Sequence, residues 1–561
     1  MTMRKQIFIL IGLTFSISSY SQDSGLIDIM TNEMSREFEV LGKEDPTAYY
    51  MDYSVYHTRS ASFAGNLGSL TNSLINNQRN ALVNVRVGDY DKDHTHKDGD
   101  GHYGFGSSWG SSEYLPLDNN EKAIQFAFWK LTKAGYQSAE KIYKNLDFEN
   151  DTIEIADFSI ENSEIYLEDD NNIVAQVDTQ YWEALVTNVS NAFSANEDIL
   201  DAIVSVSLSG DRQYFCSTEG SKIIQNKNAA FASISATIRA NDKTSIPLYK
   251  TYFAYKPEGL PSEQELLIEA NSILLKLDEL KSAPIAEPYS GPAILHPRAS
   301  GVFFHEIFGH RIEGHRLKSE TDGQTFKEKI DEQILPEMLS VDLDPTLREI
   351  DGQDLIGSYS YDDEGVKAGK VSVVENGKLK TFLMSRSPLD EIEHSNGHGR
   401  AQLGMPVVSR QSNMIVKSNN TIPLDALRER LILECSKQGL EYGYYFVDVT
   451  GGFTQTSRYQ PNAFNITPTL VYRIYVDKRE DELVRGVDLI GTPLAMFAEI
   501  SACSDEMETF NGFCGAESGS VPVSASAPGL LVRRIETQKK IKGSEIKLPL
   551  LTNPAIQQKH D

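Results

Sequence analysis

The sequence is poor in cysteine, in positive charge and in long apolar stretches. Its 561 residues include four cysteines, Cys216, Cys435, Cys503 and Cys514, which are too few for a disulfide scaffold. Whether these thiols pair stays open. Lysine and arginine number 53 against 80 acidic residues, and the formal charge of −27 argues against binding nucleic acid through its phosphates. Apolar residues still make up 40% of the chain, which excludes wholesale disorder.

The apolar run at the amino terminus is too short to span a bilayer comfortably. Arg4 and Lys5 precede the apolar residues 7–15, and small residues follow them, which is typical of a secretory signal peptide. We therefore expect residues 1–21 to be removed on export. The mature protein is expected to be soluble, periplasmic or extracellular, and without a membrane span.

The first half of the chain predicts an N-terminal α/β domain, residues 22–285. Segments with helical spacing of apolar residues are interspersed with runs in which polar and apolar residues alternate, as in strands. Ser262 and Glu265 have the spacing of a capping box at the start of one helix. A stretch rich in proline and small residues, residues 281–292, indicates the domain boundary.

The second half predicts a mostly antiparallel β domain, residues 286–545, followed by a C-terminal tail, residues 546–561. Several β-rich runs occur here, and Asn376 and Gly377 have the composition of a hairpin turn. The sequence therefore predicts an α+β fold of two domains, in which one helix of the second domain carries a chemical motif.

That motif is GVFFHEIFGHRIEGH, which places His305, Glu306 and His310 among bulky apolar side chains. Two histidines and a carboxylate within six residues are typical of a hydrolytic metal site. On a regular helix, positions five apart point about 140° away from each other, so the two rings could not face one ion. We therefore predict a helix locally widened between His305 and His310, with Gly309 easing the distortion.

The same residues allow other interpretations of the motif. The longer pattern H-E-x-x-H-x-x-G-x-x-H fails because its fifth position is Gly309, which cannot bind zinc. An apolar helix whose two histidines bond elsewhere stays open as the structural alternative. Glu313 and His315 follow the motif and are candidates for supporting or structural roles.

A second group of histidines lies in the segment KDHTHKDGDGH, residues 92–102. His94, His96 and His102 stand there among several aspartates and could bind a metal. The polarity and the glycines of the segment favour a solvated loop instead.

The second half of the chain resembles the TldD/PmbA family of metallopeptidases, also known as modulators of DNA gyrase. Six blocks carry the resemblance in the family's order, across roughly residues 288–535: SGPAILHPRASGVFFHEIFGHRIEG, YDDEG, ENGKLKTFLMSR, NGHGRAQ, SRQSNMIV and GFCGAESGSVPVSASAPGLLVRRI. Arg410, Ser412 and Asn413 belong to a polar block of the family that could contact substrate, and nothing in the sequence assigns them that role.

The resemblance implies a zinc peptidase whose metal is held by His305, His310 and Cys514. Three protein ligands leave a fourth position for water, as a catalytic zinc requires. Glu306 is then implied to be the general base toward a zinc-bound water, in the hydrolysis of unfolded or short peptides.

The resemblance also implies pairing, because members of the family often work with a sister chain that lacks the zinc motif. We therefore expect a homodimer or a heterodimer with such a sister. A non-catalytic binding or assembly partner, and a hydrolase acting on another amide, are the alternative functions. The export signal departs from the best-known relatives, which are cytoplasmic, so their gyrase role is not carried over.

Overall fold

The computed structural model describes residues 20–96, 112–146, 155–319, 321–459 and 463–540. Almost all of the predicted signal peptide, residues 1–21, lies outside these ranges. The predicted tail, residues 546–561, and His102 lie outside them as well.

The N-terminal part combines long antiparallel strands with amphipathic helices. Its elements are, in chain order, α1 (Tyr20–Leu41), β1 (Ala48–Asn66), β2 (Ser69–Val87), β3 (Glu113–Leu115), α2 (Glu121–Tyr143), β4 (Ile165–Leu167), α3 (Thr179–Ser190), β5 (Ile199–Ser217), β6 (Lys222–Arg239), β7 (Ser245–Ala254) and α4 (Glu263–Ser282). In the described residues the strands form one sheet in the order β3-β2-β1-β5-β6-β4, with β7 beside β6. Only β4 runs parallel to its neighbour there.

Two apolar cores lie against this sheet. Helices α1 and α2 bury residues such as Leu26 and Phe128 against β1 and β2, and α3 and α4 bury Trp182 and Leu277 against β5 and β6. The predicted capping box at the start of α4 is confirmed, since the Ser262 side chain accepts a hydrogen bond from the backbone of the third helical residue.

The C-terminal part is dominated by strands. Its elements are β8 (Tyr289–Leu295), α5 (Pro297–Ile307), β9 (Leu339–Leu343), β10 (Glu349–Ile350), β11 (Gln353–Asp354), β12 (Val371–Glu375), β13 (Lys378–Leu379), β14 (Gly399–Arg400), β15 (Val408–Ser409), β16 (Asn413–Ser418), β17 (Thr421–Ile422), α6 (Leu424–Gln438), β18 (Tyr442–Thr454), β19 (Phe464–Tyr475), β20 (Glu482–Val484), β21 (Val487–Gly491), α7 (Pro493–Ala498), β22 (Ile500–Ala516) and β23 (Gly519–Lys539).

Strand β23 is the centre of the C-terminal sheet. It pairs antiparallel with β8, β21 and β22 and parallel with β16. The sheet continues from β16 to β9, β12 and β13, and from β21 to β19 and β18. The predicted hairpin at Asn376 and Gly377 is confirmed as the β12–β13 turn. The α+β fold is thus as predicted, and the exact domain limits stay predictions.

Helix α5 is buried against β23, at the heart of the C-terminal core. Val302, Phe303 and Ile307 are almost fully buried, and the Phe303 ring meets that of Phe464 edge-on at 5.9 Å. A helix that is apolar nearly all round belongs in the interior. Gly301 is the point of closest approach, because a Cβ atom there would lie 2.5 Å from the carbonyl oxygen of Ala525.

None of the helices in the described part of the chain has the combination of length and hydropathy that a membrane crossing needs.

We expect Gly301→Ala to reduce the free energy of unfolding by roughly 1–3 kcal/mol, because the added methyl group forces α5 away from β23. Urea unfolding followed by circular dichroism measures the change. Gly369→Ala is the matched control, since a Cβ atom there meets nothing within 4 Å. Equal midpoints for the two variants would show that the Gly301 contact is not tight.

Candidate metal centre

The motif histidines lie where α5 ends. The helix stops at Ile307, and a 3₁₀ turn, Gly309–Arg311, follows. The Arg311 guanidinium donates to the carbonyl oxygens of Glu306 at 2.9 Å and Ile307 at 3.1 Å, so it satisfies the free acceptors of the helix end. The predicted widened helix is therefore wrong: a helix end and a tighter turn carry His310 round to the side of His305.

Three predicted ligand residues meet at this turn. The ligand atoms of His305, His310 and Cys514 all lie within 4.8 Å of one another. The Cys514 Sγ atom is 3.3 Å from Nε2 of His310, and the centroids of the two imidazole rings are 5.1 Å apart. Tetrahedral zinc, with bonds of about 2.3 Å to sulfur and about 2.0–2.1 Å to nitrogen, separates such atoms by about 3.5 Å. The three donors therefore fit a zinc ion.

The side chains of His305, His310 and Cys514 shift one another's pKa values. Burial alone would raise the pKa of the Cys514 thiol, but the two neighbouring imidazoles outweigh it and hold that pKa well below its usual value. Burial would likewise lower the pKa of His310, but the Cys514 and Glu313 charges raise it to about 10. Cys514 is thus a thiolate, the form that ligates metals.

Glu313 lies behind His310 and is fully buried. One of its carboxylate oxygens is hydrogen-bonded to Nδ1 of His310 at 3.1 Å and accepts from Nε of Arg316 at 2.9 Å. Burial opposes ionisation, yet His310 and Arg316 hold the pKa of Glu313 well below its ordinary value. A carboxylate on the far nitrogen fixes the ring orientation and leaves Nε2 for a metal.

Arg410 forms hydrogen bonds to the backbone at and beyond Cys514. Its guanidinium donates to the carbonyl oxygen of Cys514 at 2.6 Å, to Oγ of Ser518 at 2.7 Å and to the carbonyl oxygen of Gly519 at 3.0 Å. Its Nε lies 3.4 Å from the Glu313 carboxylate. These partners are up to 109 residues distant in the chain, so sequence spacing gave no signal for this role.

The other residues of that polar block also point into the protein. The Ser412 hydroxyl is hydrogen-bonded to His398 at 3.0 Å, and the Asn413 amide donates to the carbonyl oxygens of Asp344 at 3.1 Å and Leu347 at 2.8 Å. Neither these two residues nor Arg410 border the cleft in which His305, His310 and Cys514 lie. Their contacts fix the loops around the site.

The cluster lies in a cleft of about 610 Å³ that both sheets border. Glu306 lines it beside His305 and His310, and β18 passes so closely that a Cβ atom at Gly452 would lie 2.4 Å from Cγ of Glu306. Burial raises the pKa of Glu306 above its ordinary value, although the two histidines oppose the shift. A raised pKa makes the carboxyl group a better proton acceptor than an ordinary glutamate.

His315 does not join the cluster. Its Nε2 is hydrogen-bonded to the carboxylate of Glu517, whose other oxygen accepts from Arg316 at 3.0 Å. The potential ligand atoms of Glu313, His315 and Glu517 also lie within 4.8 Å of one another. Arg316 pairs with both carboxylates, and His310 and Arg410 also lie beside Glu313. Cationic side chains of the protein therefore already face these carboxylates.

Residues 92–96 of the histidine-rich segment, which was predicted to be a solvated loop, are partly or fully buried, so the prediction is wrong for this described part. Asp93, His94 and His96 are almost fully buried. The Asp93 carboxylate pairs with Arg86 at 2.5 Å, and the His96 ring is hydrogen-bonded to Asp157 at 2.8 Å. These partners compensate for the burial of polar groups. Among the described residues 92–96 of this segment, none belongs to a group of side chains that could hold a metal ion.

The remaining thiols are inert. Cys216, Cys435 and Cys503 are buried and unpaired, as is Cys514. Burial raises the pKa of Cys216 to about 12 and those of Cys435 and Cys503 to about 11.

This chain is an α+β protein in which a helix-end histidine pair and a distant cysteine meet in a cleft between two sheets. The crystal structure of TldE from Thermococcus kodakarensis has this fold. It superposes with a TM-score of 0.62 over 91% of this chain and 100% of that chain, at 14% identity.

The C-terminal part of the chain, residues 288–539, matches the family model of the PmbA/TldA metallopeptidase C-terminal domain. A metalloprotease of Methanocaldococcus jannaschii is 29% identical over 350 residues, which cover 61% of this chain and 70% of that protein. A zinc metalloprotease TldD homolog of Saccharolobus solfataricus is 27% identical over 335 residues, 58% of this chain and 68% of that protein. The chain spans between half and two thirds of some other metalloproteases that it matches. These relatives support a metallopeptidase.

After metal removal with a chelator, we expect iodoacetamide to alkylate Cys514 at nearly the same rate from about pH 6 to pH 8. The lowered pKa keeps this thiol ionised as the pH falls. Mass spectrometry of the labelled peptides measures the rates, with Cys514→Ser as the control. A rate that rises about tenfold per pH unit would show an ordinary thiol and contradict the coupling described above.

Proposed function

We propose that this chain is a zinc-dependent peptidase that hydrolyses peptide bonds of unfolded or short peptides. The observation that carries the proposal is the meeting of His305, His310 and Cys514 in a cleft that Glu306 also lines. A zinc metalloprotease among the relatives supports the choice of metal. The two histidines and the cysteine would hold the ion.

Zinc, when bound, supplies a Lewis acid that polarises the peptide carbonyl and makes water more acidic. Glu306 is the general base: it accepts a proton from the attacking water and returns it to the leaving amine. Burial raises the pKa of Glu306 above its ordinary value, which strengthens it as a base. Glu313 holds the orientation of the His310 ring through its hydrogen bond to Nδ1.

The shape of the cleft favours flexible substrates. Gly451 and Gly452 on β18 border it from one side, and Gly512 and Gly515 on β22 border it as well. Bare backbone lets an extended peptide approach closely. A volume of about 610 Å³ accepts a few residues of chain and excludes a folded domain.

Assembly and location complete the proposal. We propose that the chain works as a homodimer or with a sister chain, an arrangement that likeness to TldE makes a natural candidate. Export to the periplasm or beyond is proposed from the amino-terminal pattern of residues 1–21. Light scattering of the purified chain measures the assembly, and fractionation of cells measures the location.

We expect Glu306→Gln to keep about one zinc per chain and to lose peptide cleavage by roughly a hundredfold to ten-thousandfold, because it removes the base and leaves the ligands. Metal analysis and a quenched-fluorescence peptide assay measure both quantities. Cys514→Ser, which removes a ligand, is expected to lose both the zinc and the peptide cleavage.

The exposed Glu258→Gln is the matched control and should retain zinc and activity. A wild-type chain that carries no zinc and cleaves no peptide would favour the alternative of a non-catalytic assembly partner. Full activity in Glu306→Gln would remove this residue from the mechanism while leaving the metal site.

A further inference from the structure

An aromatic contact joins the two sheets beside the candidate metal ligands. Phe513 of β22 immediately precedes Cys514, and its ring centroid lies 5.8 Å from that of Phe231 on β6. The Phe231 ring in turn lies 5.3 Å from that of Phe253 on β7. The N-terminal sheet thus brings aromatic side chains to the site of the C-terminal sheet.

Phe513 is unusual because it is 60% exposed, whereas Cys514 is 4% exposed. Successive side chains of a strand leave it on opposite sides. Both residues nevertheless border the same cleft, so the cleft passes from the metal ligands around β22 to the aromatic contact. Phe513 and Cys514 are adjacent residues of β22, and a strand advances about 3.3 Å per residue, so the aromatic contact and the metal ligand are one residue apart along the strand.

The wall around the aromatic contact is uncharged. Ser233, Tyr249 and Thr251 border the cleft beside Phe231, and the Tyr249 hydroxyl donates to the carbonyl oxygen of Thr450 at 2.5 Å. That hydrogen bond ties this part of the N-terminal sheet to β18.

Both arginines that border the same cleft are already paired with carboxylates. Arg298 donates to the Asp448 carboxylate at 2.8 Å and lies over the Phe510 ring at 4.7 Å. Arg316 pairs with Glu517 at 3.0 Å. An acidic substrate side chain placed against Phe513 would lose hydration while both arginines of the cleft stay paired, whereas a large apolar side chain would cover exposed aromatic surface.

We propose that Phe513 and Phe231 form a specificity subsite for an aromatic or large aliphatic substrate side chain within two residues of the cleaved bond. This inference rests on the proposed peptidase function and adds a substrate class to it.

The test uses the full chain loaded with zinc and a set of peptides that differ at one position. Phenylalanine, leucine, alanine and aspartate are placed in turn at each of two positions on either side of the cleaved bond. We expect kcat/KM to favour phenylalanine and leucine over alanine and aspartate at one of these positions. Phe513→Ala should reduce that preference about tenfold while zinc content stays unchanged. Phe126→Ala, which removes an equally exposed ring on α2 (60%), should leave the preference intact.

Binding of the same peptides to the Glu306→Gln variant separates this inference from the proposed function. Preferential binding that Phe513→Ala abolishes, without cleavage by the wild type, would keep the subsite and overturn the peptidase. Cleavage without preference, or a preference removed by Phe453→Ala on β18 and not by Phe513→Ala, would overturn the subsite. A Phe513→Ala variant that changes only the size of the assembly in light scattering would show that Phe513 contacts another chain, and would also overturn it.

Discussion

The close approach of α5 to β23 is the constraint on which the rest of the site depends. Gly301 has no side chain, and its place against the Ala525 backbone lets the apolar face of the helix pack into the C-terminal core. The helix then ends beneath β22, the antiparallel neighbour of β23. Because β22 carries Cys514, one packing contact determines whether the cysteine and the two histidines can meet.

Charge alternates through the interior behind this contact. The Cys514 thiolate faces His310, His310 faces Glu313, and Glu313 faces Arg316 and Arg410. Each charge is buried beside an opposite one, and removal of one partner leaves its neighbour uncompensated in a medium of low polarity. The same series fixes ring orientation and cysteine ionisation together, so the site is set by the fold before any ligand arrives. The cleft side, by contrast, exposes Phe513 to whatever chain enters.

Local sequence patterns predicted the helices and strands well. The features that they did not predict depend on contacts between residues distant in the chain. The capping box at Ser262 and the helical and strand patterns depend on neighbours a few residues away, so spacing alone revealed them. The turn that presents His310 was predicted with the wrong geometry, because the helix is ended by the Arg311 guanidinium and not widened. Cys514 was predicted as a ligand only from family resemblance, because nothing in its spacing links it to the histidines. The contact of Arg410 with the carbonyl oxygen of Cys514 had no local signal in the sequence.

X-ray absorption at the zinc edge of the purified chain tests most directly whether His305, His310 and Cys514 bind one ion. We expect one sulfur ligand at about 2.3 Å and two imidazole nitrogens at about 2.0–2.1 Å, with a light atom completing a tetrahedron. A shell of six oxygens, or a zinc environment without sulfur, would contradict the meeting of His305, His310 and Cys514 around one ion.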